Sequence, residues 1–280
     1  MAILLGLLVA ASYGSADFLG GFATKSSPAG ATVIVSQTTG LVLAVPLLLV
    51  VGRGTFTAHD AALSALAGIA GVIGVGCLYR GLAVGRMSVV APLSAVGSAF
   101  LEVAWGLLHG ERPGAVALVG IVIALVAIGI VAGTAAEHPA VTVAPGTEFA
   151  LGAAAALGFG VVFIAFSETG HDSGLWPLVV ARSVAVLVVA VALFLGGRPL
   201  WVRRADARTV TGTGVLDVTA NALLLAAVRL DLLSIVAPVA ALYPAGTVVL
   251  ARAILREQLG RARTVGLLLA VAALAMIAVH

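Results

Sequence analysis

One passage is written twice in this chain. Residues 79–120 read YRGLAVGRMSVVAPLSAVGSAFLEVAWGLLHGERPGAVALVG, and residues 225–266 read LAAVRLDLLSIVAPVAALYPAGTVVLARAILREQLGRARTVG. Ser88 and Ser234, Pro92 and Pro238, Glu111 and Glu257, Gly114 and Gly260, and Gly120 and Gly266 all match at one spacing, 146 residues. The same spacing carries Gly6 and Gly14 onto Gly152 and Gly160 without insertion or deletion. A fixed period is the mark of an internal repeat. It divides the chain into 1–134, a linker at 135–146, and 147–280. Whatever the first half folds into, the second must fold into as well.

The medium for that fold follows from composition. The chain is 61% hydrophobic and 10% charged, with a mean hydropathy of +1.20. Soluble domains carry about 25% charged residues. Ten apolar segments can be placed, at about 3–22, 29–51, 61–83, 87–108, 114–133, 148–167, 175–196, 208–228, 232–254 and 263–279. A membrane helix needs roughly 17–25 apolar residues, so each is a candidate span. The first lacks a basic leader and is expected to remain as a span rather than be removed as a signal peptide. No connector is long enough to fold as a soluble domain.

The expected fold is therefore an all-α integral membrane protein with ten transmembrane helices. Five spans per half is an odd number. If the halves share a fold, the second must enter the membrane in the opposite sense, giving two inverted five-helix repeats. Lys and Arg are more frequent near the connections after segments 1, 3, 7 and 9 than near the alternate ones. The positive-inside rule then places both termini outside. These arginines form no basic face with interleaved aromatics, which argues against a nucleic-acid partner. The single Cys77 excludes an internal disulfide, and no Cys/His cluster has metal-ligand spacing. No metal, cofactor motif, phosphate loop or nucleophile–base arrangement is expected. Small residues at helical spacing, such as Gly6, Ala10 and Gly14, read as close helix packing within a monomer or a weak homodimer.

Ser88-Val-Val-Ala-Pro92, its twin Ser234-Ile-Val-Ala-Pro238, and the Glu-Arg or Glu-Gln that follows before a Gly-bearing final helix resemble the EamA family of the drug/metabolite transporter superfamily. The resemblance covers both halves. It implies ten helices in inverted repeats around a central cavity, and movement of small metabolites across the cell membrane, often as export. The family often has an arginine where Arg182 stands. Asp17, within YGSADFLGG at 13–21, departs from the commoner pattern.

Ionisable side chains in a span are expensive and usually face the bundle interior. Asp17 lies deep in segment 1, one turn after Tyr13. Ser94, Ser98 and Glu102 form a stripe at i, i+4 spacing in segment 4, with Trp105 beside it. Arg182 lies in segment 7, Asp217 and Asn221 are i, i+4 neighbours in segment 8, and Tyr243 and Thr247 form a weaker stripe in segment 9. These residues are the candidate substrate site. A carboxylate there could take a proton or a cationic group, and Glu102 is the leading choice for a proton because its repeat-related position is the apolar Val248. Arg182 could hold an anion or pair with Asp17 or Asp217. Pro92 and Pro238, in the first turns of segments 4 and 9, are candidate hinges. The resulting expectation is a secondary transporter of small polar or amphipathic metabolites, amino acids among them, exporting by alternating access, with protons as a candidate coupling ion. A drug exporter or lipid-carrier flippase is the alternative within transport. A membrane sensor or assembly factor is the alternative outside it, and an intramembrane enzyme lacks a catalytic pair.

Overall fold

The computed structural model describes residues 2–51, 54–110, 114–133, 144–229, 243–255 and 260–277. Among them the regular structure is helical. In chain order the helices are α1 (Ala2–Ala23), α2 (Ala29–Val51), α3 (Ala58–Val84), α4 (Met87–Leu108), α5 (Ala115–Gly133), α6 (Pro145–Ser167), α7 (Trp176–Leu195), α8 (Ala207–Arg229), α9 (Tyr243–Leu255) and α10 (Arg261–Ile277). A 3-10 turn, His171–Ser173, precedes α7. Among the described residues, five helices, α1, α2, α3, α6 and α7, are long and apolar enough to cross a membrane. Shorter apolar stretches lie in α4, α9 and α10. Pro238 and the start of the ninth expected segment lie outside the described residues, as do Glu111 and Glu257.

Two helix starts differ from the sequence reading, each for a local reason. Helix α3 begins at Ala58, not near 61, because Thr57 and Asp60 form a capping box. The Thr57 amide donates to the Asp60 carboxylate at 2.9 Å, and the Asp60 amide donates to Thr57 Oγ1 at 3.2 Å. Helix α6 begins at Pro145, inside the expected linker. Proline is favoured in a first turn, where its missing amide would have no helical partner.

The halves interleave. Helices α3 and α4 of the first half pack on α6, and α3 also packs on α7. The repeat-related contacts are present too: α8 packs on α1 and α2, and α9 packs on α1. Glycines set the closest approaches. A Cβ on Gly68 of α3 would come within 2.4 Å of the Ala181 carbonyl oxygen in α7. A Cβ on Gly214 of α8, its repeat twin, would come within 2.4 Å of the Ser36 carbonyl oxygen in α2. The Gly-rich stretch beginning at Gly68 is thus a packing surface. Helices α5 and α10 pack together, as do α2 and α7.

Helices α2 and α7 are repeat counterparts, and they run antiparallel. Gly30 near the start of α2 lies against Leu193 near the end of α7, whereas Gly40 further along α2 lies against Arg182 near the start of α7. The outer surface is apolar: Val50, Ile73, Val122, Leu187, Phe194 and Leu268 are all largely exposed. Polar groups turn inward. Thr32, Ser64, Ser98, Thr213 and Thr247 are buried. The Thr32, Ser64 and Thr213 hydroxyls donate to the carbonyl four residues before.

Candidate functional site

Arg182 organises the interior. It is 8% exposed on α7. Its Nη1 donates to Gln37 Oε1 of α2, and its Nη2 forms an ion pair with Asp217 Oδ2 of α8. The guanidinium reaches α2 because Gly40 leaves room, since a Cβ there would sit 2.8 Å from Nη1. Three helices from both halves therefore meet at one side chain. A guanidinium in low dielectric must be paired and hydrogen-bonded to remain charged there. Gln37 and Asp217 supply both. Asp217 keeps 30% of its side chain exposed, so the ion pair borders an accessible space. Asn221 stands one turn beyond but donates to the Asp217 backbone carbonyl at 2.7 Å, not to the carboxylate.

Helix α1 brings a second acid. Asp17 is half-buried, and its charge repels that of Asp217. Among the described residues it has no hydrogen-bond or ion-pair partner. Tyr13, one turn earlier, lies within electrostatic reach of Asp17, Asp217 and Arg182. Its ring centroid is 5.9 Å from that of Tyr243 on α9. The crossing that permits this contact depends on Gly14, whose Cβ would lie 2.5 Å from the Tyr243 carbonyl oxygen. Thr247 closes the same crossing by donating to the Gly14 carbonyl at 3.1 Å. Tyr79 of α3 is 4% exposed, lies over Gly20 of α1, and reaches Asp17, Asp217 and Arg182 electrostatically.

The structure thus brings Tyr13, Asp17, Arg182 and Asp217 together, with Tyr243, Thr247 and Asn221 at the margin. Ser94 and Ser98 donate to the Ala91 and Ala95 carbonyls of their own helix. Trp105 donates to Glu168 Oε1 at 3.1 Å and stacks near His109, at an exposed position. The Glu102 side chain lies outside the described residues. Pro92 lies in the second turn of α4, which continues through it.

Gln37 and Tyr79 were not among the sequence candidates. A glutamine inside an apolar span is itself the signal that finds Gln37. Tyr79 had none, because its role depends on Gly20 opposite. A second buried ion pair was also missed. Arg86, between the expected segments 61–83 and 87–108, is 6% exposed and pairs with the fully buried Glu148 of α6 at 2.9 Å. Its backbone amide donates to the same carboxylate. Arg86 is therefore an internal fastener between halves rather than a free orienting charge.

Comparison with known proteins agrees with this duplicated helical frame. The EamA-like transporter family matches residues 1–133 and again 146–279. A solved crystal structure of a protein superposes on 98% of this chain and 95% of its own with a TM-score of 0.67 at 15% identity, a likeness of fold. No curated protein matches the chain. With the family found once in each half, this chain belongs to the EamA-like transporter family and is a membrane transporter of the drug/metabolite type.

Proposed function

We propose that the chain is a secondary transporter of small polar or amphipathic metabolites, amino acids among them, working by alternating access as an exporter in the plasma membrane. Ten spans in two inverted five-helix halves would carry it. The antiparallel course of the repeat-related helices α2 and α7 supports that inversion.

The observation that carries the function is the Gln37–Arg182–Asp217 cluster with Asp17 beside it. It sits where both halves meet, and a transporter binds its cargo at the repeat interface. Arg182 and Asp217 neutralise each other, so Asp17, with no partner among the described groups, is the group left to take up a proton or a cation. That suits a protonatable or cation-accepting site, and the tyrosines give it amphipathic walls. Glu102 stays a second candidate for the coupling proton.

The test is uptake into proteoliposomes across a metabolite panel, with and without an imposed pH gradient. Wild-type protein should accumulate at least one polar compound, and Asp17→Asn, Asp217→Asn or Glu102→Gln should remove the gradient dependence. No uptake above empty liposomes across the panel overturns the reading. So does wild-type pH dependence in all three variants.

A further inference from the structure

We propose that Asp60 and Asp206 are a matched pair of latches, each closing one face of the transporter, and that they must open in turn. The two acids are 146 residues apart, so they are repeat counterparts. Each reaches from the third helix of one half to the connector between the first two helices of the other half. Asp60, in the first turn of α3, accepts the Gly170 amide at 2.8 Å from the α6–α7 connector. Asp206, immediately before α8, accepts the hydroxyls of Ser26 at 2.7 Å and Ser27 at 2.6 Å from the α1–α2 connector. The Arg203 amide donates to Ser27 Oγ at 3.1 Å and completes the second latch.

Their places in the fold give the pair its meaning. The Asp206 latch holds Ser26 and Ser27, just before the start of α2. The Asp60 latch lies beyond the end of α2, where Phe56 meets Trp176 at 5.7 Å between ring centroids. Helix α2 has 23 residues, hence a length of about 34 Å, so the latches lie at opposite ends of a membrane-spanning helix. The Arg182 cluster contacts α2 between them, at Gln37 and Gly40. A central site flanked by two equivalent cross-half ties, one per face, is the arrangement that alternating exposure requires. Both ties are made in this structure, which in the proposed cycle is the state with both latches shut. Carboxylate hydrogen bonds near the ends of the spans can be exchanged for water, so each latch can open without stranding a buried charge.

This inference rests on the inverted-transporter reading. Hydrogen–deuterium exchange on the full chain in lipid nanodiscs tests it without needing a substrate. Asp60→Ala should raise exchange in residues 168–174 and lower it in residues 24–28. Asp206→Ala should do the reverse. A fixed staple would loosen only its own connector. Local loosening without reciprocal protection, or loosening of both connectors by either variant, overturns the proposal. Should a variant fail to fold, a short thiol crosslink between Ser27→Cys and Asp206→Cys, in a Cys77→Ala background, clamps one latch. The clamp should raise exchange in residues 168–174 at least twofold, reversibly on release. No change there overturns the latch mechanism, whereas absence of transport with reciprocal exchange intact overturns only the transport assignment.

Discussion

Compare the helix crossings with the centre of the molecule. At the crossings, repeat-related residues do the same work twice. Gly68 and Gly214 each meet a carbonyl of the facing helix, and Asp60 and Asp206 each hold a connector of the other half. At the centre nothing repeats. The counterpart of Arg182 is Ser36, that of Asp217 is Gly71, that of Asp17 is Phe163 and that of Tyr79 is Leu225. Packing between duplicated halves constrains both copies equally, because each crossing must close. A binding site faces no such demand, and one asymmetric cargo is better met by one asymmetric set of groups. The symmetric part thus serves the frame and its two connector ties, and the asymmetric centre is the proposed cargo site.

The largest effect should come from a charge pair that breaks the symmetry outside the centre. Arg86 and Glu148 have Leu232 and Ala2 as counterparts, so no twin shares their load. Removing one partner of a buried ion pair costs roughly 3–5 kcal/mol, because the other charge loses its counter-ion in low dielectric. Glu148→Ala should therefore lower the melting temperature more than any other single change described here, measured in detergent. A shift smaller than that of Asp217→Ala would show that Arg86 finds another partner readily.

Asp217→Ala tests the centre itself. Among the described residues it leaves Arg182 with Gln37, and it should cost about 1.5–3 kcal/mol, the range for a hydrogen bond to a charged group. The partial exposure of Asp217 keeps the loss below that for Glu148. Uptake should vanish. Replacing both partners, Arg182→Leu with Asp217→Leu, should restore the melting temperature but not uptake. Restored uptake would make the pair structural and move the site elsewhere.

The contrast also explains what could be read beforehand. The period, the helices and the polar positions in spans were legible because each is a pattern along one strand of sequence. Arg182 and Asp217 stood out as charges in apolar runs, and their pairing was one of the two options open. Gln37 obeyed the same rule and could have been found. Tyr79 could not, since a buried tyrosine at a helix crossing looks like core until Gly20 is seen beneath it. The partner of Arg86 was hidden, because a charge beside Gly85 and a turn looks solvated. Only the fold brings Glu148, 62 residues later, against it. In the α4 stripe, Ser94 and Ser98 donate to carbonyls of their own helix, and the Glu102 side chain lies outside the described residues.

A matched pair of substitutions sharpens the symmetry. Gly68→Ala and Gly214→Ala each drive a methyl to 2.4 Å from a backbone oxygen. Overpacking of this kind costs about 1–3 kcal/mol, because the helices must separate. The two melting-temperature losses should agree, and the double variant should lose their sum, since the crossings share no partners. A loss confined to one variant would mean that the two crossings are not mechanically equivalent.

The smallest effect concerns the Asp206 latch and appears only in acid. The Ser27 and Ser26 hydroxyls hold its carboxyl below the usual aspartate range. An aspartate in the unfolded chain titrates near pH ~4. Between that value and the lower folded one, the unfolded state binds more protons, so stability rises with pH across the window. The contribution is complete above ~pH 4 and is lost as pH falls through the folded value. Asp206 is only half-buried, and water screens it, so the slope should be shallow. Wild-type melting temperature should fall more steeply below pH 4 than that of Asp206→Asn, which has no carboxyl to protonate there. The Ser26→Ala, Ser27→Ala double variant should lose the same slope while keeping the acid. If that double variant retains the wild-type slope, the hydroxyls are not what depresses the carboxyl, and the latch is held by its neighbours' charge rather than by hydrogen bonds across the halves.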